Sequence, residues 1–179
     1  MSLEHISPEV IERAKKVTAL VMDVDGTLTD GRIIFAQHGD ELKCFNVQDG
    51  AGLVIWERAG GLSALITARK SKLVKRRAKD MRVKFVFQGH EKLAGFEQFL
   101  RRFRLSPEQV CAVADDLMDL PILRRAGLAV TVPDGVPEVK AISHYQTQRA
   151  GGKGAVREVI ELILKARGLW DQALEHYQH

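Results

Sequence analysis

Asp23 and Asp25 stand one residue apart at the end of an apolar run, in the stretch LVMDVDGTLTDG from Leu20 to Gly31. Two carboxylates so placed repel each other and are costly to desolvate, so something must compensate them. In an extended chain, residues i and i+2 point the same way, and the pair faces one point. Further on, Thr67 follows the run LSALI, Lys92 follows KFVFQ and its glycine, and Asp115 and Asp116 follow VCAVA. Acids with few histidines nearby suit a hard cation, and Mg²⁺ fits best. A hydroxyl and a lysine beside that ion suit a phosphate, the lysine as point charge and the threonine as donor. One carboxylate of the pair can then attack phosphorus and become an aspartyl-phosphate. The other can protonate the leaving alkoxide and afterwards activate water.

These groups have to be brought together by the elements that carry them. Short apolar runs alternate with amphipathic helical patterns along the chain, which implies βαβ units and a mostly parallel sheet covered on both faces. The expected class is α/β, a Rossmann-like three-layer α/β/α arrangement with a β-hairpin insertion after strand 1. In such sheets ligands bind beyond the carboxyl ends of the strands, and every residue named above falls on that edge. The segment GRIIFAQHGDELKCFNV, about 31–47, has two β-prone arms around QHGD and predicts the hairpin. SPEVIERAKK and SPEQ each place a serine cap before a proline at the first helical position. GAVREVIELILKARG sets Val156, Val159, Ile160, Ile163 and Leu164 on one helical face and stops at Gly168. The expected organisation is one domain over residues 1–179, with a C-terminal tail at about 169–179. In that tail Trp170, Leu174 and Tyr177 share a helical face suited to docking.

Bulk composition narrows the class. The chain has 179 residues, is 45% hydrophobic, and carries a formal charge of +4. That excess is mild and scattered. The densest basic run, Arg69 to Lys84, has helical spacing without interleaved aromatics, so it reads as a solvated helix face rather than a nucleic-acid surface. The two cysteines, Cys44 and Cys111, form no CxxC pair, which points to a reducing compartment, with the cytoplasm as the default. Asp23–Gly26 departs from a calcium loop, since Thr27 and Leu28 occupy its fifth and sixth positions. GGKG at Gly151–Gly154 departs from a P-loop, with Thr147 where a glycine is needed and no Ser/Thr after Lys153. A glycine-rich turn opening a helix can still meet an anion.

DVDGTLT, Thr67 in LITARKS, Lys92 and DDLMD (Asp115–Asp119) together resemble, in order, the four motifs of the haloacid dehalogenase superfamily of phosphatases. With FNVQDGAG, FQGHEKL and GGKGAVREVIELILKARG added, the chain from Val17 to Gly168 is similar to the 3-deoxy-D-manno-octulosonate 8-phosphate phosphatases. That family works on a lipopolysaccharide sugar precursor in the cytoplasm and is cap-less, Mg²⁺-dependent and homotetrameric. Its hairpin packs at the tetramer centre, and a neighbouring subunit helps close each site.

The resemblance implies roles by position. Asp23 would be nucleophile and metal ligand, and Asp25 the general acid/base, ligating the metal through its carbonyl. Asp115 would ligate the metal directly, and Thr67 and Lys92 would hold the phosphate. Asp116 would act through a metal-bound water or orient Lys92, with Asp119 in support. Arg69, Gln48 and Lys153 are candidate substrate contacts. The chain has Ala68 and Ala114 where the family usually has glycine, and Gln48 where arginine is common. Losing that arginine removes a bidentate partner for a sugar carboxylate. The expected function is Mg²⁺-dependent hydrolysis of a sugar-acid phosphomonoester. Its alternatives are a phosphatase for nine-carbon sialic-acid-type sugar phosphates, a broader sugar-phosphate phosphatase, and an inactive oligomeric scaffold.

Overall fold

A computed structural model describes residues 3–37, 41–175 and 177 of the chain. The main sheet has six strands, β1 (Ala19–Met22), β4 (Leu62–Thr67), β5 (Phe85–Gln88), β6 (Val110–Ala114), β7 (Leu128–Thr131) and β8 (Tyr145–Gln146). Their order across the sheet is β5-β4-β1-β6-β7-β8, and every neighbouring pair is parallel. The chain steps outward from β1 in both directions, so the carboxyl end of β1 is a topological switch point flanked by β4 and β6.

Alternation along each strand builds two cores. Leu20, Met22, Leu65, Cys111, Val113, Leu128 and Val130 face one side. There they meet α1 (Pro8–Lys16), α2 (Val47–Arg58), α3 (Lys72–Asp80) and α7 (Ala155–Ala166). Ala19, Val21, Ala64, Ile66, Ala112 and Ala129 face the other. They meet α4 (Lys92–Phe103), α5 (Leu120–Leu123) and α6 (Pro137–Ile142), with Phe96 and Phe99 of α4 fully covered. The expected three layers and mostly parallel sheet are therefore present.

The hairpin is shorter than its sequence suggests. Among the described residues its arms pair at β2 (Ile34–Phe35) and β3 (Glu41–Leu42), antiparallel, and His38–Asp40 at its tip lie outside the described residues. Helix α2 begins three residues earlier than the GAGLVIWERAG pattern indicates, because Asn46 caps it by accepting from the Gln48 amide at 2.7 Å. SPEQ forms only a single 3₁₀ turn, Pro107–Gln109. In the tail, α8 (Trp170–Glu175) packs on its own chain. Arg157 and Lys165 of α7 lie 5.4 and 5.3 Å from the Trp170 ring. Residues His176, Gln178 and His179 of the expected tail fall outside the described residues.

Candidate active site

Asp23 follows β1 directly, and its amide donates to the Val113 carbonyl of β6 at 3.0 Å. The chain then turns sharply. Leu28 and Thr29 both donate to the Val24 carbonyl at 3.0 Å, and Gly26 adopts φ +98°. Only glycine suits Gly26, for two reasons. Its φ is left-handed, and any side chain there would overlap the carboxylate of Asp115. Thr27 adds a hydrogen bond to that carboxylate, Oγ1 to Oδ1 at 3.2 Å. Asp115, placed at the end of β6, is thus pressed against the turn that carries Asp23 and Asp25.

Lys92 opens α4 at the end of β5 with its side chain 6% exposed. Its Nζ donates to Asp23 Oδ1 at 2.8 Å and lies 2.9 Å from each oxygen of Asp119. Asp119, rather than Asp116, is the acid that orients Lys92. Asp116 is exposed and accepts from the Leu117 amide at 2.7 Å. Thr67, at the end of β4, is buried, and its Oγ1 accepts from the Arg69 amide at 3.2 Å. Asp23, Asp25, Thr67, Arg69, Lys92 and Asp116 line one cleft of about 150 Å³ at the strand ends. A larger groove of about 490 Å³, lined by Arg58, Ala59, Leu169, Gln172 and Ala173, offers a single charged group.

Charge in the cleft is unbalanced. Burial works against the Lys92 ammonium, but Asp23 and Asp119 more than offset it, and its pKa moves up. One ammonium cannot satisfy both acids. Burial, followed by Asp23 repulsion, raises Asp119, and burial raises Asp23 despite Lys92. Asp115 is pushed up to about 7 by burial and then by the Asp23 charge. When all three carboxylates are ionised they outnumber the one lysine by two charges, which a divalent cation would balance. Among the described residues no three histidine, cysteine or acidic side chains gather as a ready cage. Mg²⁺ does not require one, because it binds through one or two carboxylates and keeps several waters. Asp23 and Asp115 would supply two such carboxylates, and the Asp25 carboxylate is paired elsewhere.

It is turned to the hairpin, a contact that strand and helix patterns do not reveal. Lys43, its side chain 2% exposed, donates to Asp25 Oδ1 and lies 3.4 Å from Glu41. Glu41 accepts from Arg69 Nη2 at 2.9 Å, and Arg69 Nε lies 4.0 Å from Asp25. Burial tends to raise the Glu41 carboxyl, and the two cations overcome it, holding the group below the usual carboxylate range. Period-two spacing of Glu41 and Lys43 was the available signal, since it puts both on one face of an arm. Met118 also lines the cleft without having been singled out.

Gln48 and Lys153 are not among the described residues lining the cleft. Gln48 is exposed and accepts from Arg149 Nη1 at 2.8 Å, and Lys153 is exposed near Asp30. The glycine-rich turn serves a different end from anion binding. Gly152 donates to the Thr27 carbonyl at 3.0 Å, and Gly151 lies against the Gly26 carbonyl. The amino end of α7 is already occupied: buried Asp49 of α2 accepts from the Arg157 amide at 2.8 Å. Ala68 and Ala114 replace glycines without strain, because Arg82 and Arg104 are the non-glycine residues with positive φ among the described residues.

A family model described as haloacid dehalogenase-like hydrolase matches residues 53–160. The 3-deoxy-D-manno-octulosonate 8-phosphate phosphatase KdsC of Salmonella typhimurium is 41% identical over 169 residues, 94% of this chain and 90% of that protein. The phosphatase of the same name from Moraxella catarrhalis, solved in complex with magnesium, phosphate and KDO, superposes with a TM-score of 0.92 at 40% identity. That match covers 95% of this chain and 98% of the Moraxella chain. A cobalt-bound Haemophilus influenzae phosphatase superposes at 0.84 with 32% identity, covering 87% of this chain and 92% of its own.

Proposed function

Since the chain belongs to the haloacid dehalogenase-like hydrolases, we propose that it is a Mg²⁺-dependent phosphatase releasing inorganic phosphate from 3-deoxy-D-manno-octulosonate 8-phosphate, a step in making a lipopolysaccharide precursor. The observation that carries this reading is the cleft itself. It gathers Asp23, Asp25, Thr67 and Lys92 at the switch point of the sheet, with a negative excess suited to a divalent ion.

The residues divide the work. Lys92 and Thr67 hold the phosphoryl group, and Asp119 keeps the Lys92 ammonium aimed. Asp23 attacks phosphorus with a carboxylate oxygen while the ester P–O bond breaks, and Asp25 gives its proton to the departing alkoxide. In the second half Asp25 takes a proton from water. That water attacks phosphorus, the Asp23–phosphorus bond breaks, and Asp23 is regenerated. Asp23, Asp115 and the Asp25 main-chain carbonyl would hold Mg²⁺, which would supply neutralisation of the phosphoryl charge.

The oligomer belongs to the same proposal. Phe35, Leu42 and Val47 are 67%, 52% and 79% exposed on and beside the hairpin, too much apolar surface to leave in water. We assign them to the centre of a homotetramer, and light scattering should return four times the chain's 20.0 kDa. The free thiols Cys44 and Cys111 accord with the cytoplasm.

Phosphate release with and without Mg²⁺ tests the function, using the eight-carbon acid phosphate beside a nine-carbon acid phosphate and simple sugar phosphates. Preferred, Mg²⁺-dependent turnover of the eight-carbon acid supports it. Better turnover of another phosphate would move the protein to a different substrate, and no release from any would leave the scaffold.

A further inference from the structure

The ring formed by Asp25, Lys43, Glu41 and Arg69 is not accounted for by phosphate binding. Charges alternate around it: Lys43 on Asp25, Glu41 between Lys43 and Arg69, and Arg69 returning to Asp25. Two of the four members, Glu41 and Lys43, come from the second arm of the hairpin. The Lys43 side chain is 2% exposed, and it reaches the one carboxylate of the motif that Lys92 leaves alone. An ammonium sequestered between two acids is held in one place, and it holds its partners there in turn. Glu41 does the same for Arg69, which lines the cleft while its side chain stays 42% exposed.

We propose that the second arm of the hairpin positions the leaving-group end of the active site, Lys43 fixing the carboxylate of Asp25 and Glu41 fixing the guanidinium of Arg69 toward the alcohol part of the substrate. This rests on the phosphatase reading above. Lys43 acts through Asp25 and Glu41 acts through Arg69, and neither lines the cleft. A general acid must lie within hydrogen-bond reach of the oxygen it protonates, so loss of its support removes the benefit of that proton. The benefit is large for an alkyl ester, whose alkoxide is a poor leaving group. It is small for an aryl ester such as 4-nitrophenyl phosphate, whose phenolate departs unprotonated. The phosphoryl half of the site, Asp23, Thr67 and Lys92, treats both esters alike.

The test compares kcat/KM, which reports the steps up to alcohol release, for the eight-carbon acid phosphate and for 4-nitrophenyl phosphate. Lys43→Met should lower kcat/KM for the sugar ester about 100-fold and for the aryl ester less than about tenfold. Lys43→Arg, which keeps a cation on Asp25, should recover part of the sugar-ester rate. Glu41→Gln should raise KM for the sugar acid more than it lowers kcat, and it serves alone if the methionine variant fails to fold. Equal losses on both esters, or no loss on either, would overturn the proposal. If the unaltered protein refuses the eight-carbon acid but hydrolyses other phosphates, the substrate reading fails. The leaving-group ratio is then read with the alkyl phosphate it does turn over.

Discussion

Asp119 grips Lys92 with both carboxylate oxygens, each 2.9 Å from the ammonium. Lys92 is therefore held by Asp119 as well as by Asp23, so Asp23 is not its sole anchor. Asp119→Asn should keep the fold and lose about 1.5–3 kcal/mol of stability, the range for a hydrogen bond to a charged group. It should also weaken competitive inhibition by inorganic phosphate. Unchanged phosphate inhibition would separate Asp119 from the orientation of Lys92.

Asp23→Asn removes the attacking oxygen charge but keeps the side chain's shape and its place at the end of β1. Turnover should fall by about three orders of magnitude or more. Far-ultraviolet circular dichroism should not change. Normal phosphate release from this variant would sink the covalent mechanism.

Asp115 links stability to pH. Its folded pKa is raised from 3.8 to about 7, chiefly by burial and then by Asp23. The native state therefore holds a proton that the unfolded chain has already released between about pH 4 and 7. Stability contributed by this group is full below that window and declines as pH rises through it. In EDTA, thermal unfolding midpoints should drop by a few degrees across the window. Saturating Mg²⁺ should flatten the decline, because the ion replaces the proton. A midpoint that climbs with pH in EDTA contradicts the assignment.

Gly26 is kept by φ +98° and by the Asp115 carboxylate lying against it. Gly26→Ala must displace that carboxylate. The Mg²⁺ concentration giving half-maximal rate should rise about tenfold or more, the usual scale for disturbing a metal ligand's support. Phosphate release titrated with Mg²⁺ measures it.

Asp49→Ala strips α7 of its cap and leaves the Arg157 amide without its 2.8 Å acceptor. Loss of about 1–2 kcal/mol is expected, and Asp49→Asn, which keeps an acceptor, should lose less. Urea unfolding of the three proteins checks the order.

What was legible in the sequence followed from local rules. Strand ends at Met22, Gln88 and Ala114, and that of β4 to within one residue, could be read because a short apolar run followed by a helical pattern marks a parallel strand, and the edge rule then gathered Asp23, Thr67, Lys92 and Asp115. Choosing between Asp116 and Asp119 as partner of Lys92 was beyond it. That choice is made by a single 3₁₀ turn, Leu117–Asp119, which buries Asp119 and leaves Asp116 on the exposed rim of the cleft. The partner of Lys43 was beyond it too: period-two spacing sets Lys43 and Glu41 on one face, but a hairpin's propensities say where its arms lie and not what they lean on. The GGKG turn misled for a related reason: its glycines answer to close approach of the Thr27–Thr29 backbone, and the acid that fills the helix end comes from α2, over a hundred residues earlier in the chain.

The dependence of the first loop on the Gly151–Gly154 turn bears on how the protein is made. β1 leaves the ribosome before its partner β6, before the turn that props the Thr27 carbonyl and before the Arg157 amide that anchors Asp49. Until then a nascent chain carries Asp23, the proposed nucleophile, on an unsupported loop. Premature release before Arg157 should yield a polypeptide with every proposed catalytic group present and no assembled cleft, a ready substrate for proteases.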